Sequence, residues 1–128
     1  MKRIFFIFFI VSSALNVLAQ TKTVTKNHLV TPTGHEWLYE DTCINKWSVT
    51  FENKTNQTIT SITFKLIIKK IESEVTVYQE THTVNYTLKA GERALSPFFD
   101  LSELLCVDYR SRRLLSNYSK SVQVLDFK

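Results

Sequence analysis

The sequence contains very little glycine, proline and cysteine, with two residues of each among its 128. Gly34 and Gly91 lie far apart, whereas a phosphate-binding loop or a dinucleotide fingerprint needs two or three glycines at short, fixed spacing. Neither cysteine has a second one at C-x-x-C spacing, which argues against a thiolate zinc site. A G-x-S-x-G motif is also absent, and no pattern places a base beside a nucleophile. We therefore expect no catalytic residues, no metal and no cofactor.

The one long hydrophobic run lies at the N-terminus. Lys2 and Arg3 precede eight consecutive apolar residues, 4–11, a run shorter than the ~20 residues that a membrane-spanning helix needs. A basic cap followed by a short apolar run is typical of a signal peptide, and Val17 and Ala19 supply small side chains before the expected cut. We predict a cleaved signal peptide over residues 1–19 and one secreted or periplasmic domain over residues 20–128, with no stable membrane insertion after cleavage.

The charge balance argues against nucleic acid as a partner. Cleavage removes two of the 16 basic residues, so the net charge falls from +4 to +2. Proteins that bind nucleic acid usually concentrate lysine and arginine on one face, whereas these lysines are scattered among acidic residues and turn-like segments. A protein or a glycan of the cell envelope or the cell exterior is the expected partner.

Cys43 and Cys106 are the two cysteines of the chain. An even number of cysteines in a small exported domain usually indicates a disulfide. We predict a Cys43–Cys106 bond, and the alternative is a pair of buried free thiols.

The dominant pattern after residue 45 is an alternation of apolar and polar residues with period two, which is the period of a β-strand. Trp47, Val49 and Phe51 fall on one face of residues 46–52. Polar residues at 53–58 then precede a second alternating run, which predicts a hairpin. The predicted strands after this turn span residues 62–69, 75–80, 83–88, 93–99 and 121–127. Pro97 should put its strand at an edge or end it early.

Two segments depart from this alternation. Leu101, Leu104 and Leu105 have the i, i+3, i+4 spacing of a helical turn, so we predict a short helix over residues 100–105. Residues 21–30 fit either an edge strand or a mobile segment. About seven short strands with almost no helix predict an all-β, antiparallel, immunoglobulin-like β-sandwich. A closed barrel is the alternative, because periodicity does not show whether the edges of a sheet meet.

Three segments resemble secreted bacterial immunoglobulin-like modules of the FxLYD type, namely residues 48–55, 62–66 and 88–92. Those modules have a strand ending in asparagine, an F-x-L strand and a later Pro-Gly-Glu-like turn. Phe64 and Leu66 occupy the F-x-L positions, whereas Ala90 stands where the turn has proline. The resemblance covers less than half of the mature chain. It implies an extracytoplasmic binding or accessory domain without enzymatic activity.

Two groups of residues are candidates for binding. Arg110, Arg112 and Arg113 form the one local basic cluster, and guanidinium groups suit carboxylate, sulfate or phosphate ligands. The alternative is a solvated loop. Trp37 and Tyr39 offer a large contact area at a small entropic cost, as protein-binding and sugar-binding surfaces do. The alternative for this pair is packing beneath a loop.

The residues H-E-W-L-Y at 35–39 begin like the zinc-protease signature H-E-x-x-H but end in tyrosine, so the second imidazole ligand is missing. Our leading expectation is therefore a non-enzymatic binding or accessory module. A structural subunit that assembles by β-strand addition through residues 21–30 is the alternative. A small hydrolase would become the better interpretation if His35 or His82 lay in a pocket beside an ionisable partner.

Overall fold

A computed structural model describes residues 24–41, 43–106 and 117–128. The predicted signal peptide, residues 1–19, lies outside the described residues. The described chain is all-β and contains no α-helix. Its strands are β1 (Val30–Glu40), β2 (Cys43–Asn53), β3 (Ile59–Lys70), β4 (Thr76–Leu88), β5 (Arg93–Leu95), β6 (Phe99–Cys106) and β7 (Tyr118–Phe127).

The strands form two antiparallel sheets. In sheet A, β2 pairs with β1 on one side and with β5 and β6 on the other. In sheet B, β3 lies between β4 and β7. The described strands of one sheet are not paired with those of the other, so the two sheets do not join into the closed barrel that we considered as an alternative.

One hydrophobic core lies between the two sheets and takes residues from both. The hairpin predicted from residues 46–52 and 62–69 is wrong, because β2 pairs within sheet A whereas β3 pairs with β4 and β7 in sheet B. The predicted inward face of residues 46–52 is confirmed, since Trp47, Val49 and Phe51 are fully buried. Phe51 of sheet A and Phe64 of sheet B meet with their ring centroids 5.2 Å apart. The side chains that pack around them are those of Ile44, Ile62, Leu66, Ile68, Tyr78, Val84, Leu88, Val122 and Val124.

The turn between β2 and β3 is organised by Asn53, whose side chain is buried. Its amide nitrogen donates to the carbonyl oxygens of Gln57 (2.7 Å) and Leu88 (3.0 Å). Its carbonyl oxygen accepts from the backbone N–H of Thr55 (3.0 Å) and from the hydroxyl of Thr55 (2.6 Å). The backbone oxygen of Asn53 accepts from Gly91, where φ is 76°, a conformation that glycine adopts without strain. The turns at 53–58 and 89–92 are therefore bonded to each other.

The helix predicted over residues 100–105 is wrong, because these residues belong to β6. Leu101 and Leu105 are both buried, and a spacing of four residues returns a side chain to the same face of a strand as well as of a helix. Leu104 is the residue that distinguishes the two patterns, and it is exposed. The backbone hydrogen-bonding groups of this segment are satisfied in an extended strand, because it pairs with the side of β2 opposite β1.

Three other boundaries differ from the predictions. The strands predicted at 75–80 and 83–88 are one continuous strand, β4. The strand predicted at 93–99 is split into β5 and β6 around Pro97, as the proline suggested. The strand β1 was not predicted, because Pro32 and Gly34 lie within it; both fall at a register shift on a sheet edge, where proline is tolerated. Of residues 21–30, the described part before Val30 forms a turn and not a strand.

The strand predicted at 121–127 forms most of β7, which contains a bulge near its end. Phe64 pairs with Val124 and Thr63 with Asp126, so Leu125 is the extra residue between them. This bulge changes the apolar phase of β7 between Val124 and Leu125.

The predicted disulfide is confirmed. Cys43 and Cys106 are direct cross-strand neighbours on β2 and β6 and are bonded to each other. The bond lies within sheet A, at the end of the domain where β1 leads into β2; we call this the disulfide end. Among the described residues, no helix is long and apolar enough to cross a bilayer.

Candidate functional site

Trp37 lies on β1, directly opposite Trp47 of β2. The two indoles stack with centroids 5.1 Å apart and an interplanar angle of 28°. Trp47 is fully buried, whereas Trp37 is half-buried and packs against the edge of the core. The predicted contact residue is therefore fixed by the core and remains partly exposed.

His35 lies two residues before Trp37 on the inner face of β1, and it also contacts Trp47. The indole N–H of Trp47 donates to Nδ1 of His35 at 3.0 Å, and the two rings meet edge to face. Burial, and to a smaller extent the nearby charge of Lys120, lower the pKa of His35 to about 4. His35 is consequently a neutral hydrogen-bond acceptor. Glu36 is exposed and points to the opposite face of the strand, because side chains alternate, so the two residues cannot share a metal ion.

Lys120 of β7 completes this surface from the other sheet. Its Nζ lies 5.6 Å from the centroid of the Trp37 ring, within the range of a cation–π interaction. Tyr39 is two residues beyond Trp37 on the same face, and it is 39% exposed. We call Trp37, Tyr39 and Lys120 the Trp37 surface.

The Trp37 surface borders the disulfide end, where exposed apolar side chains concentrate. Five of the eight exposed large hydrophobic residues in the described chain lie at this end, namely Leu38, Tyr39, Ile71, Val75 and Leu104. Two open surface cavities of about 360 and 310 Å³ lie here as well, both lined by Lys70. Exposed apolar groups beside charged ones are typical of a contact surface for another molecule.

The second predicted binding group, Arg110, Arg112 and Arg113, lies outside the described residues. The described chain leaves sheet A at Cys106 and resumes at Asn117, beside the end of β3, where the backbone N–H of Ile71 donates to the carbonyl oxygen of Asn117.

His82 is the other histidine that the sequence singled out, and it lies on β4 at the side of the core opposite Trp37. Its Nε2 is 2.9 Å from the hydroxyl of Tyr78, and its ring centroid is 4.4 Å from that of Phe99. Burial lowers the pKa of His82, while the charge of Glu80 opposes this shift. Burial likewise raises the pKa of Tyr78, so both groups are held in their neutral forms.

The hydrogen bonds around His82 do not have the order of a catalytic triad. In a triad the imidazole lies between the nucleophilic hydroxyl and the carboxylate. Here the hydroxyl of Ser102 donates directly to Glu80 at 2.9 Å, while His82 bonds to Tyr78, whose oxygen also accepts the backbone N–H of Ser102 at 3.3 Å. This arrangement joins β4 to β6 across the rim of the core, which is a structural role.

Sequence reasoning found Trp37 and Tyr39 but missed Trp47, His35 and Lys120 as their supports. Pairing of Trp37 with Trp47 becomes visible only when β1 and β2 are recognised as a hairpin. The described residues contain no group of three or more histidine, cysteine, aspartate or glutamate side chains placed to hold a metal ion.

Comparisons with known proteins give no match: no family model, no curated protein and no solved structure is similar to this chain.

Proposed function

We propose that this chain is a non-enzymatic binding module of the immunoglobulin-like sandwich type, that it acts in the periplasm or outside the cell, and that it binds a protein or a glycan through the Trp37 surface. The observation that carries the proposal is the fixed, half-exposed indole of Trp37, stacked on the buried Trp47 and covered on one side by Lys120. An aromatic ring that is already immobilised loses little entropy when a ligand packs on it.

The strand order supports the immunoglobulin-like assignment. The order β1-β2-β5 corresponds to strands A, B and E of an immunoglobulin domain, and β4-β3-β7 corresponds to C′, C and F. The disulfide differs from that of antibody domains, because it joins two strands of one sheet and not the two sheets.

The disulfide also supports the proposed location. Disulfides form and persist mainly in exported proteins, and the bond between Cys43 and Cys106 fits the signal-peptide pattern at residues 1–19. The absence of enzymatic activity is supported by the hydrogen bonds of His35 and His82, each of which is directed to an aromatic side chain that belongs to the core.

Binding of the oxidised mature chain to a glycan array and to the envelope and secreted fractions of its source organism tests this function. We expect a retained glycan or a cross-linked protein whose binding is weakened about tenfold or more by Tyr39→Ala, the typical effect of losing an aromatic contact residue. Leu95→Ala is the matched control, since Leu95 is exposed to nearly the same extent as Tyr39 (37% against 39%) but lies on β5, away from the disulfide end. Loss of binding in both variants, in neither, or no binding by the wild type would contradict the proposal.

A second candidate function is a structural subunit that assembles by strand addition through the N-terminal segment. It is favoured by one observation: the backbone N–H of Lys26 and the side chain of Asn27 already bond to the outer edge of β7. The same bonds can form between two copies if this segment is exchanged. Deletion of residues 20–27 should then convert an assembly, measured by light scattering, into monomers, and an unchanged assembly would exclude this route.

A further inference from the structure

In the described chain, the two sheets present four outer edges, and three of them are interrupted. The edge formed by β1 carries Pro32 and a register shift. The edge formed by β5 and β6 is broken around Pro97. The edge of β7 is covered at Val122 and Val124 by the segment that contains Asn27. Such interruptions are the usual means by which proteins prevent pairing between exposed edges.

The edge of β4 lacks these interruptions over its central part. Between Tyr78 and Asn85 the strand keeps one register with β3, and this stretch contains neither proline nor lysine. It is also the middle of the longest strand in the described chain, at 13 residues.

The hydrogen bonds of β3 show which backbone groups of β4 point towards β3 and which point away from it. Ile71 donates its backbone N–H to Asn117, next to β7, whereas Lys70 donates to Val75, next to β4. Since the direction alternates along a strand, the odd-numbered residues of β3 bond to β7 and the even-numbered ones bond to β4. Phe64 therefore exchanges its hydrogen bonds with His82.

By the same alternation, the backbone N–H and C=O groups of Gln79, Thr81 and Thr83 point away from β3. The side chains of these three residues are uncharged and exposed on the solvent face of the sheet. The outward backbone groups thus form a regular row, and the uncharged side chains beside them do not repel a second strand.

This row is self-complementary in one particular register. When two antiparallel copies of β4 meet with Thr81 opposite Thr81, Gln79 of each copy lies opposite Thr83 of the other, and all three pairs use outward backbone groups. The same register sets Glu80 opposite His82 of the second copy. A pairing centred on Glu80 would oppose two carboxylates, and one centred on His82 would oppose two imidazoles.

We propose that β4 is a self-association edge, through which two copies of this chain pair antiparallel about a two-fold axis at Thr81. The two three-stranded sheets B then become one continuous six-stranded sheet. The contact is a narrow polar strip, so its size belongs to the class of transient interfaces. The Trp37 surface is not part of this contact, since β1 belongs to the other sheet and β7 lies on the other side of β3 from β4. The inference does not depend on the proposed function.

Sedimentation of the oxidised mature chain from micromolar to millimolar concentration tests the proposal. We expect a reversible monomer–dimer equilibrium that Thr81→Glu weakens about tenfold or more, because two carboxylates then meet at the axis. Within one copy the new carboxylate lies opposite Lys65, so the monomer should remain folded. Gln123→Glu is the matched control, because Gln123 lies opposite the same Lys65 on β7, and it should leave dimerisation unchanged.

Disulfide trapping tests the register. Thr81→Cys places the two thiols opposite each other and should give a covalent dimer on mild oxidation. Thr83→Cys displaces them by four residues, about 13 Å along the strands, and should not. A wild type that stays monomeric at all concentrations would overturn the proposal, as would equal weakening by both glutamate variants or faster trapping at position 83.

Discussion

The indole nitrogen of Trp47 donates a hydrogen bond to Nδ1 of His35 across 3.0 Å. This bond requires an unprotonated Nδ1, so the folded protein resists protonation of His35. The pKa of His35 falls from 6.5 to about 4, first because the ring is buried and second because Lys120 is close.

The lowered pKa of His35 predicts a loss of stability in acid. Between pH 6.5 and 4 the unfolded chain binds a proton at His35 that the folded chain does not, so the free energy of unfolding falls as the pH falls. The shift corresponds to at most about 3 kcal/mol, and screening of the exposed part of the ring reduces this to about 2 kcal/mol. Urea unfolding at several pH values should show the decline, with a constant contribution from His35 above pH 7.

The variant His35→Gln tests the assignment, because a glutamine oxygen can accept the same hydrogen bond without titrating. It should make the free energy of unfolding less dependent on pH between pH 4 and 6.5, and the remaining dependence includes the contribution of His82. His28→Gln, which replaces a histidine at an exposed position outside this contact, is the control. An unchanged slope in His35→Gln would show that this bond does not control acid stability.

Loss of the disulfide should destabilise the domain without changing its strand order. The bond closes a loop with a sequence separation of 63, for which the chain-entropy model gives about 4 kcal/mol. We expect urea unfolding of the double variant Cys43→Ala, Cys106→Ala to show that a large part of this stabilisation is lost. The circular dichroism spectrum of the variant should remain that of a β protein. Mass spectrometry without reductant should find the wild type two hydrogens lighter than the reduced chain; equal masses would remove the bond from the account.

Replacement of Asn53 should be among the most damaging polar substitutions. Asn53→Ala leaves the buried carbonyl group of Leu88 and the part-buried N–H of Thr55 without their side-chain partner, at a cost of about 3 kcal/mol in unfolding free energy. Asn56→Ala, in the same turn but exposed, should change stability by less than about 0.5 kcal/mol. Similar values for the two variants would contradict the role of Asn53 in joining the two turns.

The Asn27 side chain should control local opening of β7. It donates to the carbonyl oxygen of Val122 and accepts from the backbone N–H of Val124, at 2.8 and 2.7 Å. Asn27→Ala removes both bonds, so we expect a loss of about 1–2 kcal/mol and faster hydrogen exchange at the Val124 amide. The neighbouring variant His28→Ala should leave that amide protected, and equal exchange in both variants would argue that the backbone bond from Lys26 suffices.

The alternation of Trp47, Val49 and Phe51 was enough to predict the strand β2 and its buried face, because a period of two separates the two faces of a strand. It did not identify the partner of this strand, since β3 pairs with β4 and β7 in the other sheet and not with β2. The same reasoning failed at Leu101 and Leu105, whose spacing fits a helix and a strand equally well. Only the pairing partner, β2, decides between them, and a partner distant in sequence leaves no local signal. His82 lies where the predicted pattern of β4 was interrupted, and its polar ring is accommodated on the inner face by Tyr78, four residues earlier, and by Phe99 of the other sheet.

The candidate site was only half visible in the sequence. Trp37 and Tyr39 stood out as aromatic residues two apart, but the stack on Trp47 and the approach of Lys120 depend on the register of β1 and on the contact between two sheets. These are relations over long sequence separations, and they decide whether an aromatic side chain is a free surface group or a fixed one.

The participation of β7 in the core has a consequence for folding. Val122 and Val124 fill the interior beside Leu66 and Phe64, and the Asn27 segment is held by the same strand. The hydrophobic interior therefore stays open on this side until β7 is in place, so the strands β1 to β6 cannot complete the fold without it.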